Sequence, residues 1–188
     1  PRFDGMLYDN DVAILHLAEP APAVPVRLAG IGDEAAGSPG TMATTVGWGL
    51  TSKPGSPSTV LHEVGVPIVS DDACTQIYGT EMIPGSMVCA GPMAGGQDSC
   101  NGDSGGPLLV PDPDDPGSWL QVGITSWGPE GCALPLLPGV YAEVSAARPW
   151  IDQFLPSDSR LVSMTPERLL DTRRDAGGVP LFDGFTRT

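Results

Sequence analysis

The chain has 188 residues, of which 40% are hydrophobic, so it is long enough for one good domain or two small ones and too apolar for wholesale disorder. Its 25 glycines and 21 prolines favour a turn-rich β protein over a helical one, and no apolar run reaches the length of a membrane span. The net charge of −14 comes from residues 1–155, which hold four Lys/Arg and eighteen Asp/Glu; this acidity disfavours nucleic-acid and membrane partners and attracts basic peptides, unless it serves only solubility.

Most of the predicted elements are short strands. Val12–Leu17 is apolar with β-branched members and predicts a first strand, whereas residues 18–40, rich in Ala, Pro and Gly, predict a connector. Short strands with turn signals between them indicate an antiparallel barrel or sandwich. Six further strands are predicted, bounded by Gly and Pro: Thr41–Trp48, Leu61–Val69, Met87–Ala90, Pro107–Val110, Leu120–Trp127 and Gly139–Val144.

Two segments predict helices. Residues 70–78 begin with Ser70, a good N-cap, continue with two acids and stop at Gly79. Residues 145–155 have Ser145 as a candidate cap. One face of this second helix would hold Trp150, Ile151 and Phe154.

The four cysteines include no Cys-x-x-Cys pair, so their spacing is poor for zinc and suits two disulfides. Sequence alone permits three pairings. Disulfides imply an oxidising compartment, so we expect the protein to be exported.

The most informative stretch is Gln97–Gly106, where Ser104 stands among glycines and follows Asp103. Glycine permits tight turns and close approach to a ligand, although a Gly-rich turn between strands explains a bare Gly-x-Ser-x-Gly about as well. The nucleophile elbow of α/β-hydrolases is excluded, because it needs a helix after the serine and a histidine further on. Here Pro107 opens a β-like run, and no histidine follows His62.

The whole stretch resembles the active-serine segment of the chymotrypsin/trypsin family of serine peptidases, and several further segments resemble that family in the family's order over about residues 1–155. The family's triad-aspartate segment is similar to Asp9–Leu15, and its Gly-Trp-Gly strand is similar to Val46–Gly49. The walls of its specificity pocket are similar to three ranges, Ser126–Gly128, Gly131–Cys132 and Pro138–Tyr141.

The resemblance implies an all-β fold, the double antiparallel β-barrel of the trypsin type. Residues 1–155 would be an N-terminally truncated peptidase domain, with the second barrel at about 41–144, the C-terminal helix at about 145–155 and most of the first barrel missing. Residues 156–188 would be a linker or the start of an appended module, since 165–173 resembles the opening of a module of secreted bacterial proteins.

The catalytic roles that the resemblance implies are nucleophile for Ser104 and orienting acid for Asp11, with the N–H groups of Gly102 and Ser104 as oxyanion hole. The histidine is missing, because His16 and His62 have the wrong sequence context and are interpreted as surface residues.

We expect the histidine to lie upstream of Pro1, which we interpret as a break inside a longer chain. Asp103 would pair with the ammonium of a newly cut N-terminus. Without that ammonium, the oxyanion loop is expected to stay zymogen-like. The chain alone is therefore expected to be inactive.

Asp98, six residues before the nucleophile, matches the carboxylate that selects Arg or Lys in trypsin-like members. The remaining pocket residues would be Ser99, Ser126, Trp127, Gly128 and Gly139, and the disulfides would be Cys74–Cys89 and Cys100–Cys132.

The sequence thus predicts a secreted serine endopeptidase that cuts after Arg or Lys, acts as a monomer on polypeptides, meets protein inhibitors and needs no cofactor or metal. Two alternatives stay open. The first is a non-catalytic protease homologue that serves as a binding module, and the second is a carrier whose C-terminal tail matters more than its barrel.

Overall fold

The computed structural model describes residues 2–155, and the predicted linker or module at 156–188 lies outside them. The second predicted helix lies within the described residues. In chain order the elements are β1 (Arg27–Leu28), β2 (Met42–Gly47), β3 (His62–Val69), α1 (Asp71–Tyr78), a short 3₁₀ turn (Gly79–Glu81), β4 (Met87–Ala90), β5 (Pro107–Pro111), β6 (Trp119–Trp127), β7 (Gly139–Glu143) and α2 (Val144–Ile151).

Strands β2 to β7 form a closed barrel. They pair in the order β2–β3–β4–β7–β6–β5 and back to β2, and every one of these pairings is antiparallel. Closure leaves no strand edge unpaired around the ring. Strand β1 adds a short parallel pairing to β6 outside the ring. The predicted antiparallel barrel and its C-terminal helix are confirmed.

Alternate side chains of the strands point into the barrel and fill it. The inner residues are almost all aliphatic, and Tyr141 is the largest fully buried side chain among them. A second, smaller cluster lies under α1 and contains both sulfurs of the Cys74–Cys89 disulfide. Neither helix of the described segment is long or apolar enough to cross a bilayer.

Helix α1 begins as predicted. The Ser70 hydroxyl accepts a hydrogen bond from Ala73 N at 3.3 Å, and the helix ends at Gly79, whose φ is +59°. Helix α2 differs from the prediction, because Glu143 and not Ser145 occupies the N-cap position. The Ser145 hydroxyl instead donates to the Glu143 carboxylate.

The predicted strand Val12–Leu17 is wrong. This segment forms no ladder with any residue between 2 and 155, and its apolar side chains Ile14, Leu15 and Leu17 are exposed. A strand requires a neighbour to pair its backbone groups, and an apolar run does not reveal whether that neighbour is present. The connector at 18–40 is mostly irregular, as predicted, apart from β1.

Candidate active site

The loop that carries Ser104 is fixed by backbone hydrogen bonds at both ends. Asp103 N donates to Cys100 O at 2.9 Å, and Gly106 N donates to Asp103 O at 2.8 Å. Gly105 N donates to Thr125 O of β6, and Thr125 N donates back to Gly106 O, both at 2.8 Å. These bonds hold the loop tip away from the barrel, so that Ser104 is exposed.

The glycines of this loop adopt backbone conformations that other residues avoid. Gly102 has φ +99° and Gly105 has φ +82°, both in the left-handed region. The N–H groups of Gly102 and Ser104 donate to no residue of the described segment. Two free donors beside an exposed hydroxyl are what an oxyanion hole requires, although this role stays a prediction.

The orienting acid predicted at position 11 reaches β6. The Ser126 hydroxyl donates to Asp11 Oδ2 at 2.5 Å, and Asp11 is half-buried. The preceding Asn10 has φ +56°, which turns the chain, and Asp9 Oδ1 accepts from the Ser86 hydroxyl at 2.7 Å. Ser126, predicted in the pocket wall, therefore has its hydroxyl directed at the acid.

Strand β6 brings the two catalytic candidates to one place through consecutive residues. Thr125 holds the Ser104 loop through its backbone, and Ser126 holds Asp11 through its side chain. His16 and His62, the chain's two histidines, are exposed, and the side chain of neither forms a hydrogen bond with a residue between 2 and 155.

Asp103 points inward beneath the Gly-Trp-Gly segment. Its Oδ1 accepts from Gly49 N at 2.7 Å, and its Oδ2 accepts from Cys100 N at 2.9 Å. A Cβ atom on either Gly47 or Gly49 would overlap this carboxylate. The Asp103 side chain therefore requires glycine at both positions of the motif. Asp103 is 54 residues away from Gly49 in the sequence.

Asp98 lies at the side of the pocket with one oxygen bound and one free. Its Oδ2 accepts from Ala133 N at 3.0 Å, whereas its buried Oδ1 has no partner in residues 2–155. A Cβ on Gly139 would come within 2.6 Å of that free oxygen. Burial raises the pKa of Asp98, and the nearby charge of Asp103 adds to this shift.

A cavity of about 380 Å³ lies between these carboxylates and the neighbouring loops. The Cys100–Cys132 disulfide joins the serine loop to the opposite wall, which is the pairing that the resemblance implies. Gly128 lies against Gly139, where a Cβ on the former would stand 3.7 Å from the Cα of the latter, and neither of these two predicted pocket glycines lines the cavity. The residues that line the cavity include Gly96–Cys100, Asp103, Gly131–Ala133 and the two glycines of the Gly-Trp-Gly segment, Gly47 and Gly49.

Two tyrosines support the pocket, and the sequence analysis assigned neither. The Tyr141 hydroxyl lies 3.1 Å from Ser99 Oγ, and burial raises the pKa of Tyr141 well above its usual range. The Tyr78 hydroxyl donates to Pro138 O at 2.6 Å, and its ring packs edge-on against Trp127 with centroids 5.0 Å apart. Burial raises the pKa of Tyr78 to about 12. The signal for Tyr141 was its place in the Pro-Gly-Val-Tyr motif.

Comparisons with known proteins agree with this arrangement. A family model described as Trypsin matches residues 1–151. The chain is 45% identical over 146 residues to the trypsin of Saccharopolyspora erythraea, covering 78% of this chain and 60% of that protein. It is also 45% identical over 154 residues to Trypsin-1 of Astacus astacus, covering 80% of this chain and 62% of that protein.

A solved structure is similar too. Neuropsin, a serine protease expressed in the limbic system of mouse brain, superimposes with a TM-score of 0.58 at 36% identity, covering 69% of this chain and 52% of that chain. The chain thus spans less than two thirds of the length of these relatives. The family match covers most of the sequence and agrees with the closed barrel, and the chain belongs to the chymotrypsin/trypsin family of serine peptidases.

Proposed function

We propose that this chain carries the nucleophile, the orienting acid and the specificity pocket of a secreted serine endopeptidase that cleaves after Arg or Lys. The observation that carries the specificity is Asp98, a half-buried carboxylate whose buried Oδ1 has no partner within residues 2–155 and lies beside Gly139. Burying an unpaired carboxylate costs free energy, and a cation that binds to it offsets this cost. A guanidinium or ammonium side chain supplies that cation, and charge-assisted hydrogen bonds would hold it.

Each remaining residue has a role in peptide hydrolysis. Ser104 attacks the carbonyl of the scissile bond, and the N–H groups of Gly102 and Ser104 stabilise the oxyanion. Asp11, held by Ser126, orients the imidazole and stabilises its protonated form. The base itself is a histidine that residues 2–155 do not supply, so the chain by itself has no turnover.

Asp103 controls whether the loop is competent. It bonds to two backbone N–H groups and borders the cavity, so a chain-terminal ammonium in that cavity would complete its neutralisation. The two disulfides support an extracellular location, and the partners are polypeptides with Arg or Lys before the scissile bond, together with protein inhibitors. The proposed enzyme is a monomer without a cofactor.

The second candidate is a non-catalytic homologue that binds peptides without cleaving them. Its supporting observation is that neither His16 nor His62 bonds to Asp11 or Ser104 within the described segment. The exposed Ser104 and its two free N–H donors favour the catalytic candidate.

Cation binding by the pocket can be tested in the 188-residue chain with benzamidine, an amidinium that mimics the arginine head group. We expect calorimetry to show binding by the wild type and at least about tenfold weaker binding by Asp98→Ser, because the buried counter-charge is lost. Asp114→Ser, which removes an exposed carboxylate, is the control and should bind as the wild type does. Equal affinity of all three proteins would rule out Asp98 as the selector.

A further inference from the structure

The barrel domain contains few basic residues, and each of them is followed by a proline, held by hydrogen bonds, or both. Between residues 3 and 155 they are Arg27, Lys53 and Arg148. We propose that the barrel is built to resist cleavage after Arg and Lys, so that proteases of this specificity find no readily cut bond between residues 3 and 155. The biological reason rests on the proposed function, because an enzyme that cuts after Arg or Lys must first survive itself.

Lys53 is the residue most open to attack. It lies in a loop whose residues 51–56 are all exposed, and exposed loops are where proteases nick folded proteins. The next residue is Pro54, so the bond that would be cut has a ring nitrogen without N–H and with a fixed φ. In addition, the Lys53 ammonium donates to the Glu130 carbonyl.

Arg148 has the same protection. It precedes Pro149 within α2, so the bond that would be cut lies in a helix and is a tertiary amide without an N–H group. The guanidinium is engaged as well, since its Nη1 donates to Leu28 O at 2.9 Å and its Nε donates to the Asp152 carboxylate.

Arg27 lacks a following proline and is protected by its contacts. Its guanidinium makes five hydrogen bonds of 2.7 to 3.1 Å to the carboxylates of Asp33, Asp112 and Asp114. All three nitrogens of the guanidinium are therefore engaged, and the carboxylate of a protease pocket would have to compete with these three aspartates. The backbone is also held, because Arg27 and Leu28 pair with β6.

The arginines outside residues 3–155 have no such protection in their sequence. Arg2 precedes Phe3, and none of the five arginines in residues 156–188 precedes a proline. The proline that follows Lys53 and Arg148 therefore has no counterpart after the arginines outside residues 3–155.

The test is limited digestion of the folded 188-residue chain by added trypsin, with fragments identified by mass spectrometry. Because the protease is supplied from outside, the result does not depend on whether the chain belongs to an active enzyme. We expect the wild type to retain residues 3–155 as one piece. The variant Pro54→Ala should be cut after Lys53 about tenfold faster or more, since an exposed loop then offers an ordinary bond.

Two controls isolate the cause. Pro116→Ala removes an exposed loop proline that follows an aspartate, and it should stay as resistant as the wild type. Adding Lys53→Gln to Pro54→Ala should restore resistance, and circular dichroism verifies that each variant is folded. A wild-type barrel that is cut after Arg27, Lys53 or Arg148, or a Pro54→Ala variant that resists as well as the wild type, overturns the proposal.

Discussion

Asp98 and Asp103 lie in the same loop, and the fold treats them in opposite ways. Asp103 accepts a hydrogen bond from a backbone N–H on each of its two carboxylate oxygens. Asp98 has a bond on Oδ2 and no partner between residues 2 and 155 on its buried Oδ1, although both aspartates are half-buried. A buried acceptor without a partner costs free energy in the unliganded chain. That cost is what ligand binding would relieve.

The first prediction concerns the stability cost of Asp98. Replacing it with Asn should raise the free energy of unfolding by about 1 kcal/mol at neutral pH, a usual gain when a functional group is neutralised. Burial raises the pKa of Asp98 in the folded chain, so the wild type loses stability as pH rises from the unfolded-state value through the folded-state value. Urea denaturation of both proteins across this range measures the difference.

The gain from Asp98→Asn should therefore shrink as the pH falls below the pKa of Asp98, where the wild-type carboxyl is already protonated. A gain that stays constant with pH would mean that the charge of Asp98 is not its source.

The second prediction concerns the space beneath the Gly-Trp-Gly segment. Gly47→Ala should lower the free energy of unfolding by about 2 kcal/mol, because the new Cβ overlaps the Asp103 carboxylate. Gly37→Ala is the matched control, since its nearest neighbour would be 3.9 Å from the new Cβ. Thermal or urea unfolding compares the two, and equal stability of both variants would show that Asp103 does not need this space.

At the scale of elements, β6 connects most of what the site needs. It pairs with β5, β7 and β1, and it holds both the Ser104 loop and Asp11 through adjacent residues. The Arg27 cluster attaches the connector to the loop after β5. Asp112 is central to this cluster, being 5% exposed, and its bond with Arg27 holds the pKa of Asp112 at about 2.

The third prediction tests that cluster. Asp112→Asn should lower the free energy of unfolding by about 1–3 kcal/mol at pH 7, the range for a charge-assisted hydrogen bond. Asp114→Asn is the control, and its 76% exposed side chain should matter by less than about 0.5 kcal/mol.

The pH dependence of this effect has a definite sign. Because the folded-state pKa of Asp112 is depressed, its contribution is complete above the unfolded-state value and is lost as pH falls toward about 2. Denaturation between about pH 5 and pH 2 should thus show the wild type approaching Asp112→Asn. A gap that persists at the acid end would contradict the assignment.

At the scale of the whole molecule, the sequence predicted what is local and missed what depends on distant partners. The strands β2 to β7 were found because Gly and Pro bound them, and α1 because Ser70 caps it. The Arg27–Asp112 pair could not be found from spacing, since 85 residues separate its members. The strand predicted at Val12–Leu17 failed because pairing is not local.

The same distinction holds within the site. The motifs indicated Ser104, Asp98 and Asp11, because each lies in a recognisable stretch. The hydroxyl of Ser126 on Asp11 required the fold, since 115 residues separate the two. The support that Tyr141 gives to Ser99 is likewise a contact between separate strands and loops, which no single stretch of sequence encodes.

The central claim, that Asp98 selects Arg and Lys for a serine nucleophile, is tested most directly in a protein that joins this chain to a preceding segment with the proposed histidine. The measurement is kcat/KM on matched peptide amides ending in Arg, Lys or Phe, for the wild type, Asp98→Ser and Ser104→Ala. We predict that Ser104→Ala abolishes all turnover, whereas Asp98→Ser lowers kcat/KM on the Arg and Lys amides at least about a hundredfold more than on the Phe amide, because a cation would be buried without its counter-charge. An equal loss on all three amides, or turnover that survives Ser104→Ala, would contradict the account.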